Sequence, residues 1–365
     1  MDSPSASIDF AIIGHQDSWQ HITALIHNMR MPEQEKLSIE KIKGIFSFIP
    51  PRDIFRINVL SKTGTEVNGV YIETFIDPDK LGAAYTRANI SKVMNAVLFA
   101  KKMGAKIVTL GGFTSIVLEG NLDALPTGET KFTTGNTLTA AYIVKGIDQA
   151  AVYRDINLAE SSVLIIGATG DIGMACTRYL KNKVKKLLLS ARNQLRLERL
   201  AQELIKDKID VGYSVNLQSL IPEADIIIGV ASSTGMELVD CKKNVLICDA
   251  GYPKNLETGL QEHNDRNLFH GGMGQISRGY SFSPDYTNSM YHHGAPHISH
   301  GCVLEAIVLA MENKFETYSA GKGNITIDKM EAIYNYSLKH GVVVAPFYNA
   351  NGLWQNEPVV NKQFI

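Results

Sequence analysis

Four histidines and a cysteine crowd the stretch YHHGAPHISHGC (residues 291–302), and the cysteine opens the apolar run CVLEAIVLAM. Three employments are open to Cys302: nucleophile, metal ligand or small buried hydrophobe. With Ser299 as the cap of a helix, Cys302 falls in its first turn, where the dipole and unpaired amides favour a thiolate. His297 and His300 lie close enough in sequence to hold or move the proton of that thiol. Glu305, one turn further on the same face, is a lone acid in an otherwise apolar run and needs a partner; with Cys302 and His300 it makes the candidate catalytic set. The rival reading is zinc. His292, His293, His297, His300 and Cys302 give H-x3-H and H-x-C spacings, although in a Gly/Pro loop rather than on defined elements. Cys176, Cys241 and Cys248 lie within or beside core-like runs and read as buried thiols.

A second constellation follows the β-rich run SSVLIIG. Gly167-Ala168-Thr169-Gly170-Asp171-Ile172-Gly173 closes that strand and opens a helix, the setting a phosphate-binding turn requires. Its glycines permit the tight turn, and the helix N-terminus offers free N–H groups to a pyrophosphate. The next strand, KKLLLS, ends in Ala191-Arg192-Asn193. An acid there would bind the ribose 2′-hydroxyl of NAD; Arg192 suits a 2′-phosphate, so the expected cofactor is NADPH. Asn193 belongs to the same contact, and Arg196, one turn on, can close over the adenine or phosphate. Ser232-Ser233 and Gly251-Tyr252-Pro253, at the ends of later strands, are expected to border the nicotinamide. A thiol beside NADPH has an economical chemistry: it accepts an acyl group as a thioester, which hydride then reduces. On these residues alone, that chemistry and a buried thiol both stay open.

The elements that must position these groups alternate. DFAII and AKIVTL read as strands, SWQHITALIHNM as a helix capped by Ser18, NISKVMNAVLFAKKMG as a helix closed by Gly104. The stretch FTTGNTLTAAYIVKGIDQAAV reads as a helix capped by Thr134 or Asn136. In the middle third, near-continuous apolar strands alternate with helices, which predicts a parallel sheet covered on both faces. The fold class is therefore α/β. A Rossmann NADP(H)-binding domain (136–278) is preceded by an α/β substrate domain (1–135) and followed by a mostly helical region with the cysteine (279–365). In that last region a helix runs from about Gly301 to Lys314, another is capped by Asp328, and a polar tail containing NANGLWQNEP is extended or partly disordered. The 36 basic and 37 acidic residues give a net charge of -1, which leaves no global field for nucleic acid. No apolar run approaches the ~20 residues of an integral membrane segment, the polar start MDSPSASID is no secretory signal, and reduced thiols in the cytoplasm are expected.

Co-ordered motifs carry a resemblance over nearly the whole chain: IIGH (Ile12–His15), GGFTSIV (Gly111–Val117), FTTGNTLTA (Phe132–Ala140), GATGDIG, ARN, DAGYPKN (Asp249–Asn255), CVLEA and KMEAI (Lys329–Ile333). Together they resemble the long-chain acyl-[acyl-carrier-protein] reductases, which reduce fatty acyl thioesters to fatty aldehydes with NADPH. The resemblance implies that the acyl group of an acyl carrier protein or CoA thioester passes to Cys302. NADPH held by Gly167, Gly170, Gly173 and Arg192 then reduces it, and an aldehyde-consuming partner enzyme is expected. Amides around Cys302, or the polar groups of Thr134 and Asn136, would face the oxyanion. Architecture alone is also similar to shikimate dehydrogenase-like enzymes of small hydroxy acids, and a non-enzymatic NADPH- or zinc-binding protein is the third reading. The segment SRGYSFSPDYTNSMYHHGAPHISHG departs from the more aliphatic family pattern, so it bears on which acyl chain is taken.

Overall fold

Short apolar runs separated by amphipathic ones fold into alternating strands and helices. The computed structural model describes residues 7–31, 33–118, 122–126, 128–233, 235–252, 254–256, 267–287, 291–321 and 323–354. The first elements are β1 (Phe10–Gly14), α1 (Trp19–Asn28), α2 (Ile39–Phe46), β2 (Arg52–Leu60), β3 (Glu66–Glu73), α3 (Thr86–Lys102), β4 (Ile107–Leu110), α4 (Phe113–Val117), β5 (Lys131–Thr133) and α5 (Asn136–Tyr153). There follow β6 (Ser162–Ile166), α6 (Asp171–Leu180), β7 (Lys186–Ser190), α7 (Gln194–Lys206), β8 (Val211–Tyr213), β9 (Ile226–Gly229), β10 (Leu246–Asp249) and β11 (Leu268–His270). The chain continues through β12 (Met273–Ile276), β13 (Tyr280–Ser283), β14 (Ile298–His300), α8 (Gly301–Met311), α9 (Ile327–Lys339), β15 (Val342–Val344), β16 (Tyr348–Asn349) and β17 (Gly352–Leu353). Ser18 caps α1 through its bond from the His21 amide, as the sequence predicts. A cap of this kind stabilises a helix by about 1 kcal/mol. Asp328 does not cap α9; Thr326 does, by accepting from the Lys329 amide at 3.2 Å.

Two compact units emerge instead of three consecutive segments divided at 135 and 278. Unit 1 is Met1–Tyr142, Gly272–His293 and His297–Val343; unit 2 is Ile143–Gly271, Gly294–Pro296 and Val344–Ile365. The reason is pairing that sequence order hides. β13 adds antiparallel to the edge of β2, and α8 packs across β4, β1 and β3, so most of the C-terminal region completes the first sheet. α8 is apolar on every side, with Leu304 and every residue from Ala306 to Met311 buried. Such a helix belongs inside a core.

The unit 1 sheet has the order β13-β2-β3-β1-β4-β5, and β3, β1, β4 and β5 run parallel. Its strand order turns back at β1 and β4, which makes a crevice at their carboxyl ends. The unit 2 sheet has the order β8-β7-β6-β9-β10-β11, parallel throughout. This is the doubly wound dinucleotide order, with its switch point between β6 and β9. All four residues of β9 and of β10 are buried, which explains why these strands read as apolar runs, broken only by Asp249 at the end of β10.

The tail is more ordered than its composition suggested. β16 and β17 form a hairpin, and Trp354 packs its ring 4.8 Å from Phe347, 5.7 Å from Phe269 and 5.6 Å from Tyr153. The Trp354 indole N–H donates to the Leu268 carbonyl at 2.8 Å. Residues 355–365, part of the same predicted tail, lie outside the described residues. Replacing Trp354 by Ala should cost unit 2 about 2 kcal/mol, seen as a lower midpoint in thermal unfolding; an unchanged midpoint would remove the tail from the core of that unit.

Candidate active site

Cys302 is the second residue of α8, within the first turn as predicted, but Ser299 is not its cap. Ser299 lies in β14 opposite Gly274, and His300 takes the N-cap position without a side-chain bond to the helix. Strand pairing has captured the serine. The turn is anchored twice on the backbone: the Gly301 amide donates to the Gly272 carbonyl at 2.8 Å, and Thr109 Oγ1 donates to the Cys302 carbonyl at 2.7 Å. Two glycines make the approach feasible. A Cβ on Gly111, just past β4, would lie 2.9 Å from Cys302 Sγ, and one on Gly135 would lie 2.2 Å from Cys302 Cα. Gly135 also has φ +71°, which a side chain disfavours. The thiol thus sits at the carboxyl end of β4, at the crevice of the unit 1 sheet.

The Cys302 thiol is half-buried, and burial pushes it up to about 11. Glu305 acts in the same direction, while the backbone N–H groups of Gly112 and Val303 oppose it. The expected resting thiolate is therefore corrected to a thiol: removal from water outweighs the helix amides. Cys176 and Cys248 are fully buried, and burial raises both; Cys241 is half-buried.

Glu305 has its partners. Thr133 Oγ1 donates to it at 2.5 Å, Ser319 Oγ lies 2.8 and 3.0 Å from its two oxygens, and the Leu138 amide donates at 2.9 Å. Burial raises its pKa, and these bonds hold it back. Thr134 Oγ1 accepts from the Asn136 amide at 3.4 Å, a local turn ahead of α5.

The histidines disperse. His292 stacks on His21 at 4.3 Å, His293 meets Tyr291 and His300 edge-on at 5.1 and 5.5 Å, and His297 packs against Tyr280 at 5.2 Å. Among the described residues, no three His, Cys, Asp or Glu side chains converge as a metal site needs. The segment before Cys302 is not simply a loop, since its Tyr280–Ser283 portion is the edge strand β13.

In unit 2, the glycine turn follows β6 at the switch point. Gly167 has φ +90°, and a Cβ on Gly173 would stand 2.2 Å from the Gly167 carbonyl oxygen, so α6 closes directly onto the turn. Gly170 caps α6 with no side-chain bond, and Thr169, Asp171 and Ile172 flank it half-buried. Such a helix start fits a dinucleotide pyrophosphate. Arg192 is exposed after β7, and its Nη2 donates to Ser232 Oγ at 3.4 Å, which brings two predicted cofactor residues together. Asn193 instead caps α7 by accepting from the Arg196 amide at 3.0 Å. The Gly251 amide donates to Asp249 Oδ1 at 3.1 Å, and a Cβ there would meet Asn255 at 2.3 Å.

Sequence reasoning missed several groups. Asp249 accepts the amides of Gly251, Asn255 and Leu256, and buried Asn255 bonds Ala231 and the Ser233 carbonyl, so together they tie the ends of β9 and β10. The polar residues within the otherwise turn-like DAGYPKN were the available signal. At the ends of β3 and β1, wholly buried Glu73 accepts from Tyr71 Oη, Gln16 Nε2 and the Phe75 amide at 2.9, 3.1 and 3.0 Å. Burial pushes Glu73 up to about 7 and His15 down to about 4, where Asp17 opposes the shift. Nothing local in YIET or IIGH marks that environment.

Comparison with known proteins adds to this geometry. The family model of shikimate / quinate 5-dehydrogenase matches residues 149–270. The long-chain acyl-[acyl-carrier-protein] reductase of Synechococcus elongatus is 34% identical over 345 residues, 91% of this chain and 97% of that protein. Aminotransferase PigE of a Serratia species is 24% identical over 83% of this chain and 35% of its own length. Among solved structures, quinate dehydrogenase from Corynebacterium glutamicum in complex with NAD aligns with a TM-score of 0.31 at 14% identity, covering 68% of this chain and 81% of that one.

Because the folded thiol titrates near 11 and an ordinary one near 9.0, alkylation of Cys302 by iodoacetamide should keep rising about tenfold per pH unit beyond pH 9. The sign for stability is the reverse: this thiol's contribution is intact below pH 9 and is lost as pH climbs through 11. Intact-mass kinetics across pH 7–11 read the first directly, and a plateau by pH 9 would contradict it.

Proposed function

The chain belongs to the long-chain acyl-[acyl-carrier-protein] reductase family, and from that premise we propose that it reduces a fatty acyl thioester, carried on acyl carrier protein or CoA, to the fatty aldehyde with NADPH through an acyl group held on Cys302. The observation that carries this reading is the setting of the thiol: first turn of a buried helix, sulfur under Gly111, two backbone amides facing it.

The chemistry starts from a thiol. Ionising it at pH 7 against a value of about 11 costs about 5 kcal/mol, so the proton leaves as Sγ attacks the thioester carbonyl rather than beforehand. We assign the acceptor to His300, which holds the N-cap position of α8 directly ahead of the turn that carries Cys302. The bond from Sγ to the acyl carbon forms, the bond to the donor sulfur breaks, and that sulfur departs with a proton. NADPH, when bound, supplies the hydride that takes the acyl carbon to the aldehyde level. The amides of Gly112 and Val303 face negative charge on Sγ twice, at attack and again when the carbon–sulfur bond breaks to free the aldehyde. A proton then restores the thiol.

Gly167, Gly170 and Gly173 are the groups assigned to the pyrophosphate and Arg192 to the 2′-phosphate; the bond from Arg192 moves Ser232 from the expected nicotinamide border to that same contact. The shikimate / quinate match falls within Ile143–Gly271 of unit 2 and so bears on the nucleotide half.

Incubation with an acyl thioester should add the acyl mass to the wild-type chain and not to Cys302→Ala, with His300→Ala acquiring it ~100-fold more slowly. The same adduct on Cys302→Ala would sink the mechanism. For the cofactor, Arg192→Ala should weaken NADPH binding ~10- to 100-fold and leave NADH nearly unchanged in fluorescence titration; equal losses would place recognition of the 2′-phosphate elsewhere.

A further inference from the structure

Glu305 is wholly buried one turn after Cys302, and the chemistry above gives it no proton to carry. Its surroundings are instead a convergence of donors. Thr133 Oγ1 accepts from the Gly135 and Ser319 amides at 3.3 and 3.1 Å, so its own hydrogen is directed at Glu305 Oε1. Ser319 Oγ accepts from the Thr137 amide at 3.0 Å and reaches both carboxyl oxygens. The Leu138 amide, which can only donate, takes Oε2. The opening N–H groups of α5, orphans by the geometry of any helix start, are thereby satisfied from another helix and another loop.

This convergence has a mechanical result. The turn that Glu305 holds contains Gly135, whose position lies against Cys302 Cα, and it leads into Thr139, whose Cα would lie 2.6 Å from a Cβ on Gly301. The backbone on which the thiol rides is therefore seated on a turn that this one carboxyl fastens.

We propose that Glu305 is a positioning residue: the acceptor hub that clamps the β5–α5 turn and the Ser319 segment onto the first turn of α8, holding Cys302 at the Gly111–Gly112 strand end, and taking no proton during the reaction. Gln cannot replace it despite its equal size, because the amide nitrogen would confront a donor on either side. The part concerning turnover rests on the acyl-enzyme reading above; the part concerning the thiol does not.

Glu305→Gln, Glu305→Asp and Ser319→Ala test this. Circular dichroism first establishes which variants fold, and Ser319→Ala, which removes one donor and leaves the carboxyl, serves if Glu305→Gln does not. Acylation of Cys302 should fall ~100-fold in Glu305→Gln, as for a nucleophile displaced by about 1 Å, and ~10-fold in Ser319→Ala, with partial recovery in Glu305→Asp. The limbs of the pH profile of kcat should stay in place in every folded variant. Iodoacetamide reports on the thiol without any acyl donor: its pH midpoint should move down in Glu305→Gln, since a negative neighbour has been removed. The proposal is overturned by wild-type acylation in Glu305→Gln, by Ser319→Ala behaving as wild type, or by loss of a limb of the pH profile in Glu305→Gln, which would make the carboxyl a proton carrier. Absence of any acyl adduct on the wild-type chain would instead overturn the acyl-enzyme reading and leave the iodoacetamide result standing.

Discussion

Helix α8 has no polar face, so every side of it must be covered, and the design of unit 1 follows from that requirement. β4, β1 and β3 lie against it, α9 packs beside it, and the start of α5 closes on its first turn. Burial this complete is what a lone carboxyl cannot endure without donors, and it is also what lifts the thiol of Cys302. One constraint thus produces both unusual groups of the site. The helix makes a poor surface and a good floor.

Two crevices of the same kind occur in the chain, one per unit. Each lies at the carboxyl ends of parallel strands where the order turns back, between β1 and β4 in the first sheet and between β6 and β9 in the second. The first holds the sulfur, the second the glycine turn. The sulfur and the glycine turn are thus each placed by the same topological device.

What could be read from the sequence divides along the line between local and distant causes. The strand, turn and helix around GATGDIG were legible because they are consecutive, and the place of Arg192 because it follows the next strand. The first-turn position of Cys302 was also legible from the apolar run behind it. The cap was misread because Ser299 is drawn into β14 by Gly274, a partner 25 residues earlier (299 minus 274). The state of the thiol was misread because Gly111 and Gly135, far off in sequence, help bury it. Asp249 and Asn255 escaped notice since their work is to hold other loops, which leaves no periodicity to detect.

The bonds to Glu305 also set a timetable for the chain. They span 172 residues to Thr133 and 167 to Leu138, while Thr133 and Ser319 are 186 apart. The crossovers of the β6–β11 sheet, by contrast, close over a few tens of residues, and short closures cost less entropy. During synthesis the opening turn of α5 therefore waits, its amides turned to water, until the chain has grown past Ser319. The turn beside Cys302 is therefore closed by residues that meet across most of the chain, whereas the strand pairings of the β6–β11 sheet join nearer neighbours.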